Sequence, residues 1–291
     1  SCSQGSSPAE ETSPEESLGD MTIRTLSNGD GVSLLGYGCM RWPTCTDDDD
    51  NEIIDQDMVN SLVDKAISCG VNYFDTAPVY CKGKSERATG VALARYDRSS
   101  YFIATKLSNF GGEHTLAEAV DMYHNSLREL QVDYIDYYLL HSVGARRGLS
   151  GIEGFNGSFL DNGVLDYFVR ERAAGRIRHL GISVHCDEET FEYLMSLHGK
   201  YHWDFIQIQM NYVDWHHMDR GANAEYLYRR LYETGIPVVV MEPLLGGSLA
   251  DLPDYLAAEL QEREPQKSLA SWAFRFAGTW PGVMTVLSGM T

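Results

Sequence analysis

The run Val71-Asn72-Tyr73-Phe74-Asp75-Thr76-Ala77-Pro78-Val79-Tyr80 decides how this chain is read. A β-branched start followed by two aromatics predicts a short buried strand, which breaks at an acid, a turn proline and a tyrosine. Taken alone, Asp75 as a cap and Tyr80 as packing under a loop would account for it. A strand that delivers a carboxylate and a phenol at its buried exit also suits an active-site rim. The flanking sequence has to decide.

Just upstream, Met58, Leu62, Val63, Ala66 and Ile67 mark one face of a helix over 57–69, and Gly70 ends it. Downstream the same helix-then-strand unit keeps recurring. Helix 86–95 leads to strand 101–106, helix 116–130 to strand 134–141, and helix 165–174 to strand 179–185. Helix 189–197 then leads to strand 205–211, helix 225–234 to strand 237–243, and helix 268–277 to strand 283–288. Gly70, Gly175 and Gly235 each stand where a helix must close before a tight turn into the next strand. Counting 34–39 as the first strand, the chain alternates as an α/β protein of (β/α)8 TIM-barrel type does, with a repeat of roughly 30 to 45 residues. A doubly wound open sheet is disfavoured, because Gly36-Tyr37-Gly38 continues to Arg41 where the third glycine of a dinucleotide-binding turn should stand. Ahead of the barrel, 23–26 and 32–35 flank Asn28-Gly29-Asp30-Gly31, the turn chemistry of an N-terminal β-hairpin.

Composition narrows the class. With 43% hydrophobic residues the 291-residue chain can bury a large core. Its 42 acids against 23 Lys plus Arg give a formal charge of −19, which argues against nucleic acid or anionic membrane surfaces as partners. No stretch is apolar for long enough to suggest a membrane span. Cys2, Cys39, Cys45, Cys69, Cys81 and Cys186 show no CxxC or CxH spacing, so no metal site is expected and the thiols read as reduced. His216-His217 is a tempting metal pair, but adjacent side chains diverge and no carboxylate stands at ligand spacing, so surface histidines are expected. Residues 1–20, rich in Ser, Glu, Pro and Gly, read as a disordered tail or linker, and 21–291 as the barrel. Cys2 ahead of that polar linker is what a processed, exported and lipid-anchored protein carries; an ordinary cysteine in a cytoplasmic protein is the alternative.

In a barrel of this kind the active site lies at the C-terminal ends of the strands. The second strand exits at Asp75 with Tyr80 beyond it, the third at Lys106 and the fourth at His141. These four types suit one task. A phenol donates a proton poorly at neutral pH unless a nearby cation favours its phenolate, and Lys106 would supply that charge. Asp75 would hold the ammonium, and His141 would orient the substrate oxygen. The set reads as a proton donor to a developing alkoxide.

Phe74-Asp75-Thr76-Ala77 with Tyr80, Ala104-Thr105-Lys106 and Leu139-Leu140-His141 resemble, in order and strand placement, the catalytic tetrad of the aldo-keto reductases. The resemblance covers roughly 21–291. It implies reduction of a small carbonyl compound to an alcohol, with NADP as cofactor and NAD not excluded. It further implies that Ser183 and Gln207 hold the nicotinamide amide, and that Pro243, Leu244 and Gly246 pass over the pyrophosphate. Ser288, Gly289 and Thr291 would begin the adenosine-phosphate segment. Met241 stands where many members carry an aromatic that stacks on the nicotinamide; its thioether packs on a ring less rigidly.

The chain ends just after the eighth strand, so the expected barrel is incomplete, lacking its last helix. Some similar bacterial relatives carry a ferredoxin-like iron–sulfur extension beyond that point. Trp42 and Trp215 are candidates for an aromatic wall around the substrate. The long segment 142–163, with Arg146, Arg147, Phe155 and Phe159, either hangs over the substrate, where its basic pair could meet an acidic group, or is a solvated flap. Two other functions compete with reduction: a cofactor-binding, redox-sensing regulatory subunit with little turnover, and a metal-dependent barrel hydrolase, which the absence of HxH at any strand end disfavours.

Overall fold

The structure is a computed structural model that describes residues 20–110 and 114–290. The tail with its Cys2, the short segment 111–113 and Thr291 lie outside the described residues. A hairpin of β1 (Ile23–Thr25) and β2 (Gly31–Ser33) comes first, then barrel strand β3 (Leu35–Gly38). A small antiparallel hairpin, β4 (Thr44–Thr46) and β5 (Glu52–Ile54), precedes α1 (Gln56–Ser68). The alternation then runs β6 (Tyr73–Asp75), α2 (Ser85–Leu93), β7 (Phe102–Leu107), α3 (Leu116–Leu130) and β8 (Ile135–Val143). After α4 (Gly151–Phe155) come α5 (Val164–Ala173), β9 (Ile177–Val184), α6 (Glu188–Ser196), α7 (His198–Tyr201) and β10 (Phe205–Gln209). The chain continues through α8 (Ala224–Thr234), β11 (Val238–Met241), α9 (Asp254–Arg263), α10 (Leu269–Thr279) and β12 (Val283–Ser288).

Strands β3, β6, β7, β8, β9, β10, β11 and β12 pair in parallel in that order, and β12 returns to β3 to close the barrel. The fold is therefore the (β/α)8 barrel that the alternation predicts. Gly70, Gly175 and Gly235 sit at φ +88°, +79° and +72°, the left-handed region that closes a helix most cheaply in glycine. At the other ends, Asp55 accepts from the Met58 N–H, and Thr115 with Glu118 forms a reciprocal capping box on α3.

Two apolar layers result from the strand period. Tyr73, Ala104, Tyr137, Leu139, Phe205, Val239, Met284 and Leu287 fill the barrel, while the alternate positions pack outward on the helices. The β1–β2 hairpin closes the end opposite the active-site rim. Its Asp30 carboxylate accepts from the Tyr137 hydroxyl at 2.6 Å and lies 3.0 Å from His179 Nε2.

Three segments go beyond the sequence reading. Asp47 to Asp50, four consecutive acids, form the turn of the β4–β5 hairpin, where the Asp47 carboxylate accepts from the Asp49 and Asn51 N–H groups. Helix α9 falls in a stretch whose apolar residues make no clear stripe, and none of its residues is buried. Segment 142–163 is not a flap. Ser150 and Glu153 cap α4, a π-turn follows at Asn156–Leu160, and Phe155 and Phe159 are buried in the outer core. Glycine content suggested a loose loop there, but two buried phenyl rings outweigh it.

Candidate active site

The parallel strands end together on one rim, and their last inward side chains surround a cavity of about 450 Å³. Gly38, Asp75, Tyr80, His141, Ser183, Gln207, Met241 and Leu287 line it, with Pro243, Leu244, Gly246, Ser288 and Gly289 along one side. All residues expected at this rim that lie within the described chain are on its wall except Lys106, Trp42 and Trp215.

Lys106 is beneath the wall. Its ammonium donates to Asp75 Oδ1 and to the Thr76 carbonyl, both at 2.7 Å, and the two paired side chains are only 1% and 4% exposed. Burial alone would strip the lysine of its proton, but Asp75 and then Tyr80 favour the charged form, and its pKa ends above the ordinary value. The same Nζ stands 4.8 Å from the centre of the Tyr80 ring. Tyr80 opens a tight turn in which Cys81, Lys82 and Gly83 all have positive φ, at 51°, 56° and 85°. Two of these are not glycine, a strained backbone that the surrounding packing must hold. Burial raises the Tyr80 phenol above its ordinary pKa and Lys106 pulls it back down. The cation therefore opposes the desolvation of the phenol without overcoming it.

His141 meets Tyr80 edge-on, with ring centres 6.0 Å apart. Burial, followed by the charges of Lys106, His185 and Arg146, pushes its pKa down to about 2, so the ring is neutral. Ser108 Oγ lies 2.7 Å from His141 Nδ1. If the hydroxyl donates there, Nε2 carries the ring proton and is the donor left for a ligand.

Across the cavity, Ser183 Oγ accepts the Ser142 N–H at 2.7 Å, which leaves its own O–H to donate. Gln207 Nε2 is 3.5 Å from the Met241 sulfur, while Gln207 Oε1 is buried with no partner among the described residues. A buried carbonyl oxygen without a donor is costly, so this wall is built to receive one. A hydroxyl donor and an orphaned amide acceptor beside a thioether fit a planar aromatic carboxamide. Next to them Glu242 and Leu245 adopt φ of 54° and 50°, and the Glu242 carboxylate accepts the Gly246 N–H at 2.6 Å, folding 242–247 over the cavity edge.

Both tryptophans expected to wall the substrate are elsewhere. Trp215 is 7% exposed and stacks on Trp280 at 4.4 Å, with Tyr228 and Phe276 around it, in the outer core. Trp42 is 4% exposed, stacks on Tyr37 at 5.1 Å and donates its Nε1–H to Thr89 at 3.1 Å. Each indole gains more from burial against other rings than from a position at the solvent-facing rim. His216 is a surface residue paired with Glu225 at 3.0 Å, and the described residues hold no cluster of metal-ligating side chains.

Sequence reasoning missed Ser108, Arg41, His185, Gln209 and Glu242, of which all but Ser108 line the cavity. His185 and Gln209 carried a usable signal, since each stands two residues beyond an inward position, Ser183 or Gln207.

A family model described as the aldo/keto reductase family matches residues 34–291. An uncharacterised oxidoreductase of Bacillus subtilis is 25% identical over 92% of this chain and 87% of its own. An aldo-keto reductase of a Mycobacterium species is 28% identical over 85% of this chain and 77% of its own. Among solved structures, the holo form of an aldo-keto reductase from Bacillus halodurans superposes with a TM-score of 0.69 at 26% identity, covering 93% of this chain and 86% of that one.

Proposed function

The chain belongs to the aldo/keto reductase family, whose members carry out NAD(P)H-dependent carbonyl reduction, and from that premise we propose that Tyr80 is its proton donor, supported by Lys106, Asp75 and His141. One observation carries the assignment: a buried ammonium, clamped by a carboxylate at 2.7 Å, stands 4.8 Å from the ring of a phenol that faces the cavity.

Ser183 and Gln207 would hold the nicotinamide carboxamide, Met241 would pack on its ring, and 243–247 with Ser288 and Gly289 would follow the rest of the dinucleotide. When bound, the reduced nicotinamide supplies the hydride. The substrate carbonyl oxygen accepts a hydrogen bond from neutral His141 and another from the Tyr80 hydroxyl. As negative charge grows on that oxygen, the Tyr80 proton moves onto it and the phenolate left behind faces the Lys106 ammonium. Asp75 keeps the ammonium charged and aimed, so the support is in place before the proton moves. The pair is closed to water, where its field acts at a lower effective dielectric.

NADP rather than NAD is part of the proposal and rests on the family alone. Rates of NADPH and NADH consumption with a panel of aldehydes and ketones test it. Tyr80→Phe tests the chemistry: turnover should fall by at least about 10²-fold, the scale of a lost general acid, while calorimetry finds the cofactor dissociation constant little changed. Equal turnover in the mutant would end the assignment.

A further inference from the structure

Beside the cavity, on the His141 side, a recess is lined by Asn109, Phe110, Ser142 and Arg146. Arg146 is exposed, yet it is held from three directions. Its backbone exchanges two hydrogen bonds with Leu149, at 3.1 and 3.0 Å, across a turn whose central residues, Arg147 and Gly148, have φ of 51° and 81°. That is a type I′ turn, which fixes the strand-like direction of the residue before it. Its guanidinium lies 4.4 Å from the centre of the Phe110 ring and donates to Ser142 Oγ at 3.3 Å. Phe110 in turn packs on the His141 ring at 4.9 Å. The guanidinium is therefore no farther from the His141 ring than these two ring spacings laid end to end.

Some arginines of this acidic chain are neutralised, as Arg95, Arg98, Arg172 and Arg176 each hold a carboxylate within 2.6–2.8 Å. Among the described residues others hold none, Arg24 being met only by backbone carbonyls. Arg146 has none among the described residues. Of the acids on the cavity wall, Asp75 is held by Lys106 and Glu242 is engaged by the Gly246 N–H. An arginine stacked on an aromatic face has lost much of its rotamer freedom before any ligand arrives, and its planar donors suit a two-oxygen anion.

We propose that Arg146 is a specificity-determining residue that binds an oxyanion, carboxylate or phosphate, carried by the carbonyl substrate a short chain away from its reacting carbon. The inference rests on the carbonyl-reducing function assigned above and names the class of compound reduced. With the carbonyl oxygen at Tyr80 and His141, the ring spacings set an upper limit of roughly five bonds, at about 1.5 Å each, between carbonyl and anion. In a chain of charge −19 a cation in the recess beside the cavity also gives an anionic substrate a local site to steer toward.

The test compares kcat/KM of the full chain with NADPH on two matched pairs: 4-oxobutanoate against butanal, and glyceraldehyde 3-phosphate against glyceraldehyde. The native chain should prefer the anionic member of at least one pair, and which pair responds identifies carboxylate or phosphate. Arg146→Leu should lower that preference ratio by about 10- to 100-fold, the scale of a charge-assisted hydrogen bond, and Arg146→Lys should restore part of it. A ratio unchanged by Arg146→Leu would overturn the proposal. Calorimetric titration with glutarate and with inorganic phosphate provides a readout independent of turnover. Saturable binding that Arg146→Leu abolishes supports the site, and no saturable binding of either anion to the native chain overturns it. Anion binding without reduction of any carbonyl would support the site while refuting the reductase chemistry, so the two failures are distinguishable.

Discussion

Replacing Lys106 by methionine removes the buried ammonium and keeps an unbranched side chain of similar length. At 4.8 Å from the Tyr80 ring, a unit charge interacts with a phenolate by about 3.5 kcal/mol at an effective dielectric of about 20. A transition state with half the charge developed on the phenolic oxygen would lose about half of that, or roughly 20-fold in the rate of reduction. Alcohol oxidation at the same pH passes through the same transition state, and because the overall equilibrium is fixed its kcat/KM should fall by the same factor. The single substitution also strands the Asp75 carboxylate, and breaking a buried pair costs about 3–5 kcal/mol of stability. Lys106→Met with Asp75→Asn removes both charges and serves as the stability control. Because Asp75 opposes the lysine at Tyr80, the double variant should lose less rate than Lys106→Met alone, on which the rate is read. Steady-state rates in both directions, with urea unfolding as a control, give the result. With cofactor binding unchanged, kcat/KM should fall by a similar factor in both directions. A fall of less than threefold in both directions, in a folded protein, would refute the idea that Lys106 acts on Tyr80 through its charge.

Two further outcomes follow from burial. Trp215→Ala should destabilise the fold by about 3–5 kcal/mol in urea unfolding, because it empties a site stacked on Trp280. Activity per folded molecule at low temperature should stay within about twofold, and a raised KM without lost stability would return Trp215 to the substrate wall. His141 gives a pH dependence. Its folded pKa of about 2 is far below the ordinary 6.5, so the unfolded chain binds a proton that the folded one refuses. Its stabilising contribution is complete above pH 6.5 and is lost as pH falls below it, at about 1.4 kcal/mol per pH unit. Unfolding midpoints of native and His141→Gln chains between pH 7 and 5 should converge as the pH falls. Parallel curves would contradict the buried neutral ring.

The alternation of helical and extended periods, closed by Gly70, Gly175 and Gly235, was enough to read the barrel, because side-chain period is a local property of the chain. It was enough as well to place Asp75, Lys106, His141, Ser183 and Gln207 near one rim, since parallel strands end their sequences on the same side. Local pattern failed where burial was decided by partners distant in sequence. Nothing around Trp215 in the sequence announces Trp280, and nothing around Phe155 and Phe159 announces the outer core that covers them. Aromatic residues in polar, Gly-rich surroundings look like rim or flap residues until the packing is known.

The sequence by itself thus determined the fold class, the rim and the kinds of group that stand on it. The tertiary structure alone decided which groups touch. Asp75 and Lys106 are 31 positions apart and meet at 2.7 Å only because β6 and β7 pair in one register. By sequence Arg146 belongs either to a loop over the substrate or to a solvated flap, and the structure positions it, because Phe110, from a different loop, lies beneath it. Contacts of this kind depend on how the closed barrel aligns strand ends and drapes its loops, a long-range geometry that residue periodicity does not encode.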